Sequence, residues 1–208
     1  SYVYLDYVYF ARLLEADKQY EEAVVQFNKA LSMDKSHTEI YKDISDVYEK
    51  KRDFPKAIEA YKNYLDEMKS SPDISDLFLY GRLNYYAATD SAYQDKQPTY
   101  LAEADTIFAQ VAVKVPDNYL GNFWRARVNS LRDPETTQGL AKPYYEAALS
   151  ILEQKPDATK SVLVECNSYL GYYYFVKEDY NQSKQYWNKI LEIDPENETA
   201  TKALGGIK

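Results

Sequence analysis

One cysteine, Cys166, and one histidine, His37, stand in 208 residues. That shortage excludes a Cys/His zinc site, an intrachain disulfide and a CxxC redox pair, each of which needs at least two such side chains. Basic residues are short as well: 25 Lys and Arg against 33 Asp and Glu leave a net charge of −8. Nucleic acids and anionic membranes draw proteins by concentrated Lys and Arg, so neither is an expected partner. No apolar run reaches the ~18 residues that a transmembrane helix needs. The six glycines never gather into a phosphate loop, and HExxH, GxSxG, GxxxxGK and GxGxxG are all missing. No catalytic residue, cofactor or metal site is read, and the expectation is a chain that is not an enzyme.

What remains is helical and rich in tyrosine, with 23 Tyr and only eight Pro. Few breakers and many amphipathic side chains favour helices packed on helices. Ala23, Phe27, Ala30 and Leu31 fall on one helical face, and thirty-four residues on the same spelling returns as Ala57, Tyr61, Tyr64 and Leu65. Later versions are Ala104, Phe108 and Val111; Ala141, Tyr145, Ala148 and Leu149; and Ser183, Trp187, Ile190 and Leu191. Each is preceded by a second helical pattern holding a small residue: Ala11, Ser45, Gly81, Ala126 and Gly171. The distance from that residue to the next marker is 12 in the first, second and fifth copies, 23 in the third and 15 in the fourth.

With Leu170-Gly171, Tyr174, Tyr180, Ser183, Trp187 and Asp194-Pro195 in the last copy, the sequence resembles the tetratricopeptide repeat (TPR) family from about residue 4 to 197. The resemblance implies an all-α, right-handed α-α superhelix of about five helix-turn-helix repeats. Small residues let two antiparallel helices approach while the aromatic and Leu positions fill the groove between them. Repeats are read at about 4–37, 38–73, 74–118, 119–163 and 164–197, with a capping helix at 198–206, as a single domain over 1–208 and part of a longer protein. The extra residues of the third repeat, Thr89 to Tyr100, predict a longer first helix and a longer exposed loop. Those of the fourth lie around Asp133-Pro134.

In this family the concave face is lined mainly by the first helix of each repeat. The residue after each small one is Arg12, Asp46, Arg82, Arg127 and Tyr172. Neighbouring rib positions add Lys42, Phe78, Tyr85 and Phe123, with Glu15, Glu49 and Phe175 at the same turn as Tyr85. Arginine beside aromatic rings suits recognition of a peptide or protein segment carrying acidic and apolar groups. The competing reading has the arginines bridging to carboxylates within the stack. The family's clamp for chaperone C-termini is not matched: of Val8, Arg12, Asp43, Ser75 and Leu79 at the corresponding places, only Arg12 is basic.

The expected role is a protein-interaction scaffold. The alternative is a binding subunit for a carbohydrate or other small ligand, reached through aromatic residues such as the run Tyr169, Tyr172, Tyr173 and Tyr174. His37 is expected as an exposed turn residue and Cys166 as an inert core thiol. Ser32 to Lys35 matches SxxK without its partner motifs, and the sequons at Asn181 and Asn197 decide nothing. The apolar run Tyr2 to Leu5 is read either as covering an earlier repeat absent from this piece or as mediating self-association through the N-terminal edge. A cytoplasmic and a bacterial periplasmic or envelope location both fit.

Overall fold

The computed structural model describes residues 3–68 and 70–207, so Tyr2, which opens the apolar run read as an N-terminal edge, lies outside the described residues. Among the described residues there are eleven α-helices, one 3-10 helix and no strand. Helices α1 (Val3–Ala16) and α2 (Tyr20–Met33) are followed by α3 (Glu39–Lys50) and α4 (Phe54–Glu67). Then come α5 (Ile74–Thr89), a 3-10 helix (Ser91–Lys96) and α6 (Gln97–Lys114). The order closes with α7 (Leu120–Arg132), α8 (Lys142–Leu152), α9 (Lys160–Val176), α10 (Tyr180–Ile193) and α11 (Glu198–Gly206). The chain forms two compact units, Ser1–Tyr100 and Leu101–Lys208. None of the described helices is long and apolar enough to cross a membrane.

The 12-residue spacing has a structural cause. In the three pairs that show it, the first helix ends in the same turn, with Lys18, Arg52 and Glu178 at φ 61°. The next N–H reaches back five residues, Gln19 to Leu14 O, Asp53 to Tyr48 O and Asp179 to Tyr174 O, each at 2.8 or 2.9 Å. This is the Schellman closure with a non-glycine residue in the left-handed position. A fixed turn fixes which residues face each other across the pair. Ala11 and Ala23 are both fully buried. At the same separation the Ser45 hydroxyl donates to Ala57 O at 2.8 Å, and Ser183 donates to Gly171 O at 2.7 Å. The serine therefore serves from either helix, filling a contact too close for a larger side chain and satisfying its own hydroxyl.

Each unit has its own core. In the first, Val8, Ala11, Leu14, Phe27, Leu31, Ile44 and Val47 belong to one buried cluster spanning α1, α2 and α3. In the second, α11 lays Ala200 and, just beyond it, Ile207 against Trp187 and Ile190, so the predicted cap is present and runs through Gly206. Solenoid ends need such a cover because a terminal helix pair leaves one apolar side open.

Half of the third-repeat expectation needs correction: α5 is long, at 16 residues against 14, 12 and 13 for α1, α3 and α7, but the loop is not. Residues 89–100 are not a long exposed loop: α5 stops at Thr89, and after Asp90 the six residues Ser91–Lys96 coil into the 3-10 helix that leads into α6. The segment is tied down. The Asp90 carboxylate accepts from Ala92 N at 2.9 Å and from Arg52 Nη2 at 2.7 Å, and the Tyr93 hydroxyl donates to Arg52 O at 3.1 Å. The turn after α7 is likewise organised around a buried carboxylate: Asp133 Oδ2 accepts from Gln138 N at 3.0 Å and Gly139 N at 2.7 Å.

Candidate functional site

Three arginines share one place in the repeat, and all three meet a carboxylate of the same chain. Arg12 Nη2 donates to Asp43 Oδ2 at 2.9 Å, from α1 to α3. Arg82 of α5 lies 3.6 Å from Glu49 of α3, its guanidinium 5.2 Å from the Tyr86 ring. Arg127 of α7 makes the tightest pair, with Nε and Nη2 donating to the two oxygens of Glu165 on α9 at 2.7 and 2.6 Å. The Tyr145 hydroxyl adds a bond to the same carboxylate at 3.1 Å. Lysines continue the pattern: Lys50 donates to Glu15 on α1 at 2.6 Å and to Asp46 on its own helix at 2.7 Å. Burial pushes the Glu15 and Glu49 carboxyls above their ordinary values, against the pull of their cationic partners. Half-exposed pairs of this kind contribute about 0–1 kcal/mol each. Their main effect is register, since each arginine pair, and Lys50 with Glu15, joins a first helix to the adjacent first helix.

Lys42 is held differently. Its ammonium donates to Asp76 Oδ1 at 2.9 Å and lies 4.8 Å from the Tyr64 ring. Burial, the largest influence, acts downward on Lys42, but the bond and charge of Asp76 together keep it above the ordinary lysine value. Asp76 itself is 3% exposed and also accepts from the hydroxyls of Tyr61 and Tyr64 at 3.3 and 3.4 Å. Lys42, Asp46 and Leu79 line a cleft of about 260 Å³ between α3 and α5.

The aromatic residues of the expected groove separate into two kinds. Phe78 and Tyr85 are half-buried on α5. Phe123 is 3% exposed, its ring edge-on to Tyr145 and covered by the Arg127 guanidinium at 4.5 Å. The expectation of Phe123 as an open recognition ring is therefore corrected: the stacked guanidinium and neighbouring tyrosines close it off. Tyr172 is 42% exposed and stands beside Phe175, 41% exposed. Together with Trp187, Ala203, Ile207 and the exposed Lys202 they line an apolar cleft of about 230 Å³. The rib positions point to Tyr172 and Phe175. Trp187 and Ile207 come to the cleft from α10 and the residue that ends α11, a convergence no repeat spacing carries.

The other tyrosines of the run pack inward, Tyr169 against Tyr145 at 4.7 Å and Tyr174 stacked on Tyr186 at 5.6 Å. His37 is not the exposed turn residue expected. Its ring stacks on Tyr4 at 3.9 Å, with Nδ1 2.9 Å from Glu39 and Nε2 3.4 Å from Asp34. Ser32 donates to Lys29 O, a local helix-end bond. Cys166 is fully buried, and burial with the neighbouring Glu165 charge pushes its thiol up to about 12. A buried thiol that stays protonated is a poor nucleophile. The native chain is expected to react with a thiol-specific dye at least ~100-fold more slowly than the urea-unfolded chain, and a native rate equal to the unfolded one would contradict this burial.

Residues 7–37 and 169–197 match the family model described as tetratricopeptide repeat. Among solved structures, the C-terminal part of a TPR repeat-containing protein from Cytophaga hutchinsonii is 30% identical over 97% of this chain and 73% of that one, with a TM-score of 0.82. The chain belongs to the tetratricopeptide repeat family. YrrB, also a TPR protein, aligns with 95% of this TPR chain and 89% of its own at 19% identity and a TM-score of 0.62. A MamA fragment from Desulfovibrio magneticus RS-1 aligns with 94% of this chain and 97% of its own at 11% identity and a TM-score of 0.65. A search of curated proteins found no match. The fold class is accordingly the all-α superhelical repeat. TPR domains are protein-interaction scaffolds, and the fold is typically without catalysis.

Proposed function

We propose that this TPR chain holds a peptide or protein segment against the first-helix face of its second unit, with an apolar side chain of that segment seated in the cleft of Tyr172, Phe175 and Trp187. The observation that carries this reading is the pair of half-exposed rings, Tyr172 and Phe175, over an apolar floor that nothing in the described chain fills. Aromatic side chains in such pockets supply much of the binding energy of protein interfaces. The peptide-binding site of YrrB supports a peptide as the class of ligand on this fold. A carbohydrate needs donors and acceptors set beside the rings, and the cleft offers mainly the Tyr172 hydroxyl and the Lys202 ammonium, so the segment is the better fit.

The test is a peptide-library screen by fluorescence polarisation, followed by single substitutions of the strongest binders' receptor. Tyr172→Ala and Phe175→Ala are each expected to weaken binding about tenfold, the loss of an anchor worth about 1 kcal/mol or more. Both rings are exposed enough for the helical circular dichroism to stay unchanged. Binding indifferent to both substitutions removes the proposal. Arg127→Ala is a less direct probe, because it also leaves Glu165 and the Tyr145 hydroxyl without their partner.

A further inference from the structure

The connection between α8 and α9 is longer than its counterparts, and the extra chain builds a wall. Ala141 and Gly171 stand 30 residues apart, against 22 for Ala23 and Ser45 and for Ala104 and Ala126. Part of the surplus lengthens α9, which begins eleven residues before its small residue where α3 and α7 begin six before theirs. The rest runs between the end of α8 at Leu152 and the start of α9 at Lys160. Lys155 and Pro156 of this stretch line a cleft of about 440 Å³ together with Lys160, Leu163 and Asn167 of α9 and Ile193 of α10. That is room for a small organic molecule.

Asn167 leaves a hydrogen-bonding demand at this cleft. The residue is 1% exposed, and its Nδ2 donates to Leu163 O at 2.7 Å. That bond fixes the amide, because Oδ1 turned toward the same carbonyl would set two acceptors against each other. Oδ1 itself takes no hydrogen bond among the described residues. A buried amide oxygen left so costs about 1–3 kcal/mol, and native structures supply a donor to such groups. The repeat shows what has changed here. Four places before the small residue stand Tyr7 and Tyr41 in the first two copies, both half-buried against the core cluster. In the fifth copy a short polar side chain takes the place of the ring.

The charges select the kind of molecule. Lys189 of α10 is paired with Glu153 at 2.8 Å, whereas Lys155, Lys160 and Glu192 at the same cleft are exposed and make no ion pair among the described residues. The first turn of α9 holds no acidic residue and Thr159 gives it no side-chain cap, so the positive helix start adds to the two free ammoniums. An anion of more than one charge suits that end, and a phosphate monoester carries about −1.5 to −2 at neutral pH. Asn167 Oδ1 and Glu192 ask instead for donors, which hydroxyl groups supply. Asn167 lies seven residues beyond Lys160, about 10 Å along the helix and close to the length of a hexose phosphate. A chain of net charge −8 offers phosphate no general attraction, so any binding has to come from a local site.

We propose that this cleft binds a phosphorylated sugar or polyol, its phosphate held by Lys155, Lys160 and the start of α9 and one of its hydroxyls donating to Asn167 Oδ1. The site lies wholly in the second unit and shares no residue with the Tyr172 cleft.

Titration calorimetry of the whole chain at low salt tests it with four probes: glucose 6-phosphate, sorbitol 6-phosphate, glucose and inorganic phosphate. The better of the two phosphate esters is expected to bind at least ~10-fold more tightly than glucose or inorganic phosphate, since only the esters meet both ends of the cleft. Asn167→Leu removes the acceptor at similar volume and is expected to weaken the ester about tenfold while leaving inorganic phosphate as it was. Lys155→Gln combined with Lys160→Gln is expected to weaken both phosphates at least ~10-fold. Those lysines are exposed, so this variant keeps the test open where Asn167→Leu alters the fold. Tyr172→Ala is expected to change nothing here, which separates failure of this site from failure of the peptide reading. No binding of either ester up to about 10 mM overturns the proposal and leaves the Asn167 carbonyl to solvent. Inorganic phosphate binding as tightly as the esters, or ester binding indifferent to the lysine pair, overturns it as well.

Discussion

Asp76→Ala is expected to lower the stability of the first unit by about 2–4 kcal/mol, read as a shift of its urea transition by far-ultraviolet circular dichroism. One buried carboxylate there serves four donors. Lys42 and the Tyr61 and Tyr64 hydroxyls bond to it, and the N–H of Asp73 reaches its other oxygen at 3.4 Å while Asp76 N–H returns a bond to Asp73 at 2.8 Å. The reciprocal pair is the capping box that starts α5. Lys42 is 36% exposed on its side chain and can turn to water once its partner is gone. Tyr61 is 4% exposed and cannot, so its hydroxyl is left buried without an acceptor. That asymmetry puts most of the expected loss on the phenol and the helix start rather than on the ion pair. Asp76→Asn keeps an acceptor in place and is expected to lose about half as much. A loss under about 1 kcal/mol for the alanine variant would show that water replaces the carboxylate at this site.

Gly121→Ala is expected to destabilise the second unit by up to about 2 kcal/mol, although alanine is the better helix former. A Cβ at this position of α7 falls 2.5 Å from the backbone N and 2.7 Å from the Cα of Ala112 on α6. Backbone cannot rotate aside as a long side chain can, so the helices must separate. Overpacking of this kind costs about 1–3 kcal/mol, and the gain in helix propensity of about 1 kcal/mol offsets part of it. Gly205 gives the opposite sign. A Cβ there meets nothing within 4 Å, and Gly205→Ala in α11 is expected to stabilise by up to about 1 kcal/mol. Thermal unfolding of the two variants checks the pair: a stabilising Gly121→Ala would mean that α6 and α7 do not approach as closely as described.

Gly121 also shows where reading the chain by period stops. The repeat spelling selects Ala126 as the small residue of the fourth first helix, and that residue is fully buried. It gives no sign that α7 approaches the preceding helix at Gly121 too closely for a Cβ, because the contact joins consecutive repeats and each connection there has its own length. The third repeat has the same cause. Extra residues between Gly81 and Ala104 are visible as a count, but whether they form a loop or a helix depended on Asp90 and Tyr93 finding Arg52 in the preceding turn.

The rib positions divide in the same way. Identity and spacing place Arg12, Arg82 and Arg127 at one position of the repeat, and a sequence with one residue type recurring there reads equally as a groove or as a set of braces. The deciding partners, Asp43, Glu49 and Glu165, stand 31, 33 and 38 residues away, on adjacent first helices. Glu165 carried no signal of its own, being one carboxylate among 33. Tyr172 was legible as a rib, whereas its cleft needed Trp187 and Ile207 from two other elements.

The amino-acid order by itself determined that helices pair at a 12-residue offset, because small residues, aromatic positions and the three-residue turn between them are all local or nearly so. It also excluded a Cys/His zinc site, an intrachain disulfide and a CxxC pair, since one Cys and one His cannot build them. Only the tertiary structure decided which charges are spent inside the chain and which rings stay open. Those are properties of contacts between elements thirty or more residues apart, and a side chain's availability is set by what reaches it, not by its place in the repeat.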